Sequence, residues 1–296
     1  MLEIRRSIGH LPDADLVIGY GSSVFKQAGF ESHDQPLVDL LVAASDREAF
    51  IRKLAASRIV PKSGWMFSSL LNPEVSFFAD VDMGMSYRFK LGIVSTSSLI
   101  DRLNDWDTSF YLPGRLQKPT IVIGASSNDI LAEFSLARNC NLKAGLAAAL
   151  LAMPPNPVDG SFMMDELWHS LVGLSYLGDI RVGLAENPMK IRNIVAGQSD
   201  YLLNLYRPFF AEVGLVDNNI KGRYVCNLSR ADLWESLPFN FRRRAVSLVD
   251  PRSSVLATLT NINRRESMGQ AIAGVATSGP SVAARYLFRK VVKRFK

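Results

Sequence analysis

Cysteine is nearly missing from this 296-residue chain. Cys140 and Cys226 stand far apart, with no CxxC and no Cys/His partner at zinc-ligand spacing. Neither a disulfide framework nor a zinc site is expected, and both read as reduced, packed thiols. Histidine is also scarce: His10, His33 and His169 are scattered and read as surface or capping residues rather than catalysts. No long apolar run is present. The longest, Ala144 to Met153, is bounded by Lys143 and by Pro154-Pro155, about half of the roughly 20 residues that a spanning helix needs. The opening MLEIRRSIGH reaches Asp13 and Asp15 without an apolar stretch, which argues against a secretory signal or an Arg-rich transit peptide. Internal repeats and low-complexity segments are lacking too. With 48% apolar residues, 21% charged, 20 Gly and 14 Pro, the composition excludes disordered, collagenous and coiled-coil chains.

Acidic residues are missing from one place in particular. The last sixteen residues, SVAARYLFRKVVKRFK, hold Arg285, Arg289, Lys290, Lys293, Arg294 and Lys296 and no acid. The net charge is +6; taking these six from the 34 basic residues leaves 28 against 28 acidic ones, so residues 1–280 are formally neutral. A nucleic-acid-coating surface is therefore not expected. Projected at about 100° per residue, Ala284, Leu287, Phe288, Val291, Val292 and Phe295 fall within an arc of roughly 140°, with all six cations outside it. This is the pattern of a basic amphipathic helix lying in an anionic headgroup plane. A helix docked on the protein's own core would also be amphipathic, but ordinary solvated faces mix signs.

The pattern along the chain predicts strands over Leu16–Tyr20 and Leu37–Ala44, and a helix over 46–56 with Asp46 as its N-cap. Residues 75–82 and 87–95 read as a hairpin joined through Met83-Gly84-Met85. Helical periodicity follows over 130–153, 164–177 and 188–210, and beyond about Gly222 it weakens until the terminal helix. The expected class is α/β plus α: a mixed sheet with helices over 1–118, a mainly helical domain over 119–222, and a C-terminal region over 223–296 that ends in the amphipathic helix, 281–296.

Three constellations carry chemistry. The turn Tyr20-Gly21-Ser22-Ser23 follows a strand, and Asp39 lies inside the next one. Glycine and serine let backbone N–H groups and a hydroxyl approach a triphosphate, and a neighbouring carboxylate can hold the Mg²⁺ that neutralises it. This is the arrangement of polymerase-β-type nucleotidyltransferases, although a GxGSS turn also serves as a plain strand-to-helix connection. A lone Asp amid LVDLLVAA costs several kcal/mol to bury unless a cation or donors meet it. That superfamily carries two acids flanking one residue, whereas position 41 is Leu. Asp46, or the pair Asp80 and Asp82, can complete the metal set. In the second constellation, LPGRLQKP, Arg115 and Lys118 lie in a glycine- and proline-bounded loop that can clamp phosphate or stand as a basic surface turn. The third is GLSYLGDIR with Arg181, followed by Glu186, Lys190 and Asn193 at i, i+4 and i+7 of one helical face.

GYGSSVFKQAG, VDLLVA, FKLGIVST, PGRLQKP, NLKAGLAAALLAMP, GLSYLGDIRVGLAEN and KIRNIV together resemble the mitochondrial-type CDP-diacylglycerol synthase family in its bacterial form, from about Ile4 to Tyr206 and again near 265–286. The resemblance implies a peripheral-membrane phosphatidate cytidylyltransferase with a nucleotidyltransferase domain, a winged-helix-like domain and a membrane-contacting C-terminal helix. It implies CTP and phosphatidic acid as substrates, with Mg²⁺, or Mn²⁺ or Co²⁺ in its place, and a position on the inner face of the plasma membrane. Under it Tyr20, Gly21, Ser22 and Ser23 hold the triphosphate, and Asp39 with Asp46, Asp80 or Asp82 holds the metal. Lys90, Arg115, Lys118, Lys143, Arg181 and Asn193 meet phosphate or nucleotide, while Arg285, Leu287, Phe288, Arg289, Lys290, Val292, Lys293 and Phe295 meet the membrane. Two other readings stay open: a nucleotidyltransferase with an RNA, protein or small-molecule acceptor, and a membrane-associated scaffold with a degenerate site.

Overall fold

The runs Leu16–Tyr20 (β1) and Leu37–Ala44 (β2) are neighbouring strands of a five-stranded mixed sheet in a computed structural model of the chain. The structure describes residues 9, 11–25, 37–85, 87–154, 160–181, 187–219, 222–245 and 250–278. Two compact units make up the chain: Met1–Ile100 with Thr120–Ser135 and Met268–Lys296, and Asp101–Pro119 with Leu136–Ser267.

The first unit holds that sheet. Ser76–Asp82 (β3) and Arg88–Ser95 (β4) form the antiparallel pair that the sequence predicts. Ile121–Ala125 (β5), not singled out in the sequence, joins the far edge antiparallel to β1, giving the order β3-β4-β2-β1-β5. β2 and β4 are parallel; the other pairs are antiparallel. Strand alternation sends Val38, Leu40, Val42, Phe89, Leu91 and Ile93 to one face. There they pack with Phe50, Ile51 and Leu54 of the helix Arg47–Ala56. Each such side chain, nearly dry, contributes about 1.5–3 kcal/mol. Asp46 caps this helix as expected, its carboxylate accepting from Ala49 N–H at 2.9 Å. The same alternation puts Tyr20, Asp39 and Lys90 on the opposite face.

The second unit is mainly helical. The apolar stretch Ala144–Met153 closes the helix Asn128–Ala152, whose last carbonyls accept from Arg230 (to Leu151, 2.7 Å) and Arg252 (to Ala152, 2.9 Å). The helices Met164–Gly173 and Lys190–Tyr206 pack on it around Trp168, Leu171, Ile194 and Tyr206. Phe162–Met163 (β6), Leu215–Asp217 (β7) and Arg223–Cys226 (β8) form a small antiparallel sheet in the order β6-β8-β7.

Several expectations change. The segment expected as the loop LPGRLQKP contains a helix, Tyr111–Leu116. Pro113 is tolerated because it falls in the first turn, where N–H groups have no intrahelical partner. The weakly patterned region after Gly222 holds the helices Arg230–Glu235, Phe239–Arg244 and Pro251–Ser278. Cys140 is exposed rather than packed, while Cys226 is half-buried, and both are free thiols. Among the described residues no helix is long and apolar enough to cross a membrane. The expected amphipathic helix at 281–296 lies outside the described residues.

Candidate active site

Gly21 opens the turn after β1 with a φ of +85°, a conformation that favours glycine. Its backbone lies against the neighbouring strand so closely that a Cβ there would sit 2.7 Å from Asp39 Oδ2. The turn is a helical one: Phe25 N–H bonds back to Gly21 O at 2.9 Å, and Ser23 Oγ donates to Leu37 O at 2.7 Å, fastening it to β2. Ser22 is half-buried within it. Tyr20 faces Asp39 across the β1–β2 ladder, and Lys90 faces it across β2–β4. Lys90 Nζ stands 3.8 Å from Asp39 Oδ1 and 5.3 Å from the centroid of the Phe77 ring. The carboxylate that the sequence placed inside an apolar strand is thus met by a cation, and it remains 24% exposed on the open end of the sheet.

The second and third motifs come together in the helical unit. Lys118 Nζ donates to Gly114 O and, at 2.7 Å, to Ser175 Oγ, which belongs to the GLSYLGDIR segment. Tyr176 lies between two cations, with Lys118 Nζ 5.5 Å and Lys190 Nζ 5.6 Å from its ring centroid. Arg115 stacks 5.2 Å from the Tyr111 ring. Arg181 forks onto Asp179, with Nε–Oδ1 2.9 Å and Nη2–Oδ2 2.7 Å. Burial pushes the Lys118 ammonium well below the ordinary lysine range, and the charges of Arg115 and Lys190 push the same way. Burial lowers Arg181 as well, but hydrogen bonds and charge from Asp179 outweigh it and the guanidinium rises. Four basic side chains, Arg115, Lys118, Arg181 and Lys190, thus crowd around Tyr111 and Tyr176, with Asp179 given over to Arg181, an arrangement that could receive a multiply charged anion.

Residues that carry no obvious chemical signal hold this cluster. A Cβ on Gly114 would come within 2.7 Å of the Ser175 Cβ, so glycine is what lets the helix Tyr111–Leu116 touch the segment that supplies Ser175. Gln117 Nε2 donates to Asn141 Oδ1 at 3.1 Å, Asn141 Nδ2 to Pro113 O at 3.0 Å, and Trp106 Nε1 to Asn141 Oδ1 at 3.0 Å. From the helix Pro251–Ser278, Glu266 accepts from Ser109 Oγ at 2.6 Å and from Phe110 N–H at 3.0 Å, capping the helix that carries Arg115. Asn263 Nδ2 donates to Leu174 O at 2.9 Å, and Gly178, at φ +70°, passes where a Cβ would meet Thr260 O at 2.3 Å. Sequence reasoning passed over Tyr111, Ser175, Tyr176, Asp179, Asn263 and Glu266. The available signal was the cluster of small and polar residues inside GLSYLGDIR.

Other sequence candidates lie elsewhere. Asp46 is beyond the far end of β2; seven residues at about 3.3 Å each separate it from Asp39, and its carboxylate is occupied as a cap. Asp80 and Asp82 are clamped by Arg88, with Nε–Oδ1 3.1 Å and Nη1–Oδ2 2.6 Å, where a bulge after Phe78 leaves Asp80 at φ +60°. Lys143 pairs with Glu212 at 2.7 Å on the surface. Asn193 is half-buried in the first turn of the helix that starts at Lys190, and Glu186 lies outside the described residues. His169 bonds to Asp165 of its own helix, as a surface residue would. Among the described residues no three or more His, Cys, Asp or Glu side chains group as metal ligands. A single carboxylate still suits Mg²⁺, which is held by one or two carboxylates together with substrate phosphates and water. Asp39 fits that role.

A family model described as "Phosphatidate cytidylyltransferase, mitochondrial" matches residues 4–252. Curated relatives carry the same name. The protein of Mus musculus is 26% identical, covering 99% of this chain and 94% of its own length. That of Saccharomyces cerevisiae is 29% identical over 95% of this chain and 67% of its own. That of Schizosaccharomyces pombe is 32% identical over 68% of this chain and 51% of its own.

Proposed function

The chain belongs to the mitochondrial phosphatidate cytidylyltransferase family, and from that premise we propose that it transfers CMP from CTP to phosphatidic acid, giving CDP-diacylglycerol and pyrophosphate. The observation that carries the reading is the approach of the Gly21 backbone to the Asp39 carboxylate beside Lys90. A glycine turn facing an acid across two paired strands is how a triphosphate and its counter-ion are held side by side.

In this reading the sheet unit is a nucleotidyltransferase core. The helices Asn128–Ala152, Met164–Gly173 and Lys190–Tyr206, with the strands β6, β7 and β8, are a winged-helix-like fold. A phosphatidate oxygen attacks the α-phosphorus of CTP, forming the new P–O bond as the bond to pyrophosphate breaks. The attacking phosphate is already anionic near neutral pH, so no strong base is required, and the protein's part is positioning and charge neutralisation. Gly21 and Ser22 cradle the outer phosphates, and Asp39 would hold Mg²⁺, which when bound would supply positive charge against the departing pyrophosphate. Lys90 exchanges its contact with Asp39 for a phosphate oxygen. Arg115, Lys118, Arg181 and Lys190 take phosphate, which relieves their mutual repulsion, and the basic segment 281–296 holds the protein peripherally on an anionic membrane.

Purified protein with Mg²⁺, labelled CTP and phosphatidate in detergent tests the reading. CDP-diacylglycerol should form with the native chain and be lost in Asp39→Asn. Turnover only with RNA, protein or small-molecule acceptors would reassign the acceptor, and no nucleotide turnover with any divalent metal would leave a scaffold.

A further inference from the structure

The helix Lys62–Leu71 leaves a stripe of apolar side chains facing outward. It turns Gly64 and Ser68 inward, with the Ser68 hydroxyl 2.6 Å from that of Ser76 on β3. Trp65 packs against the core of the sheet unit, but three apolar side chains face out: Met66 is 62% exposed, Leu70 79% and Leu71 45%. An ordinary surface helix does the reverse. The small inner residues let the helix lie close to the sheet, and the outward stripe Lys62, Met66, Leu70 follows i, i+4, i+8.

Charge selects what covers that stripe. Residues 47–71 carry five cations and one acid, Glu48, and Arg52, Lys53, Arg58 and Lys62 are exposed; Asp80 and Asp82, which line the same hollow as Arg58 and Lys62, are paired with Arg88. A second copy docking through the same face would bring these cations against one another. An anionic lipid surface accepts both the apolar stripe and its basic surround.

We propose that the helix Lys62–Leu71 is a membrane-contacting element of the sheet unit, inserting Met66, Leu70 and Leu71 at the headgroup–acyl boundary while Arg58 and Lys62 meet anionic headgroups. It rests on the lipid-substrate reading only for its biological purpose, since binding is measured without turnover. The test compares the full chain with Met66→Ser/Leu70→Ser in sedimentation with phosphatidylcholine vesicles containing phosphatidylglycerol. Partitioning falls about tenfold for each truncated side chain, and the thermal midpoint stays in place because both are exposed. Arg58→Glu/Lys62→Glu weakens binding to those vesicles but not to pure phosphatidylcholine. Unchanged partitioning in Met66→Ser/Leu70→Ser overturns the proposal, as does a native dimer that this variant makes monomeric. Turnover of short-chain phosphatidate in detergent is read in parallel. Its absence in the native chain would sink the catalytic reading and leave the vesicle result standing.

Discussion

At the scale of single residues, the contact between Gly21 and Asp39 leaves no room for a side chain on the glycine. Gly21→Ala forces a side chain into a left-handed conformation and drives its Cβ onto a carboxylate oxygen. It should cost about 1–2 kcal/mol of stability and lower CMP transfer, read from a melting curve beside a CTP assay. Asp39→Asn keeps the shape and removes the charge, so transfer should fall by about 10²–10³ while the melting midpoint moves little. Lys118 makes a prediction about pH. Its folded pKa lies well below its unfolded value because it is buried beside Arg115 and Lys190. Between those two values the unfolded chain binds the extra proton, so stability rises with pH through that window. Lys118→Met should flatten this rise and stabilise the protein at neutral pH, with transfer falling about 10²-fold; urea melts at several pH values decide it. The pairing of a Gly-Ser turn with Asp39 was legible because both lie on adjacent strands. The burial of Lys118 was not, since Ser175 arrives from 57 positions further along.

Among the elements, the six-residue helix Tyr111–Leu116 is too short to stand by itself. The capping carboxylate of Glu266 and the close packing at Gly114 hold it. Glu266→Gln should destabilise the protein by about 1 kcal/mol and lower kcat more than the KM for CTP, because it tilts the segment that carries Arg115 and Lys118. Steady-state kinetics with a melting curve check this. The segment read as a loop since Pro and Gly ordinarily break helices; here Pro113 occupies the permitted first turn and Gly114 answers a tertiary contact. The helix Pro251–Ser278 was hidden for a different reason. It buries Ser254, Thr258, Asn263 and Ser267, so its inner face is partly polar and the apolar periodicity that announces a helix is diluted. The strands β1 to β4 and the helix Arg47–Ala56 were legible because their apolar runs are short, bounded by turn and cap residues, and buried.

For the whole molecule, the net charge of +6 belongs to one terminal segment attached to a neutral body. Deleting residues 281–296 should reduce sedimentation with anionic vesicles and turnover of membrane-embedded phosphatidate, while turnover of short-chain phosphatidate in detergent persists. Equal sedimentation of the two chains would refute this. The interleaving of the two units was not legible, because β5 returns to the first sheet after an excursion of the chain and nothing in its own sequence names its partner. The helix Pro251–Ser278 also bears on how the protein is made. Its residues Thr260, Asn263 and Glu266 lie against the 174–178 segment and the start of the helix Tyr111–Leu116. A chain translated only through Asn193 therefore still lacks the supports that Thr260, Asn263 and Glu266 give to two of these segments. The segments that carry Arg115 and Ser175 thus reach their final packing only once the chain through Glu266 has been made.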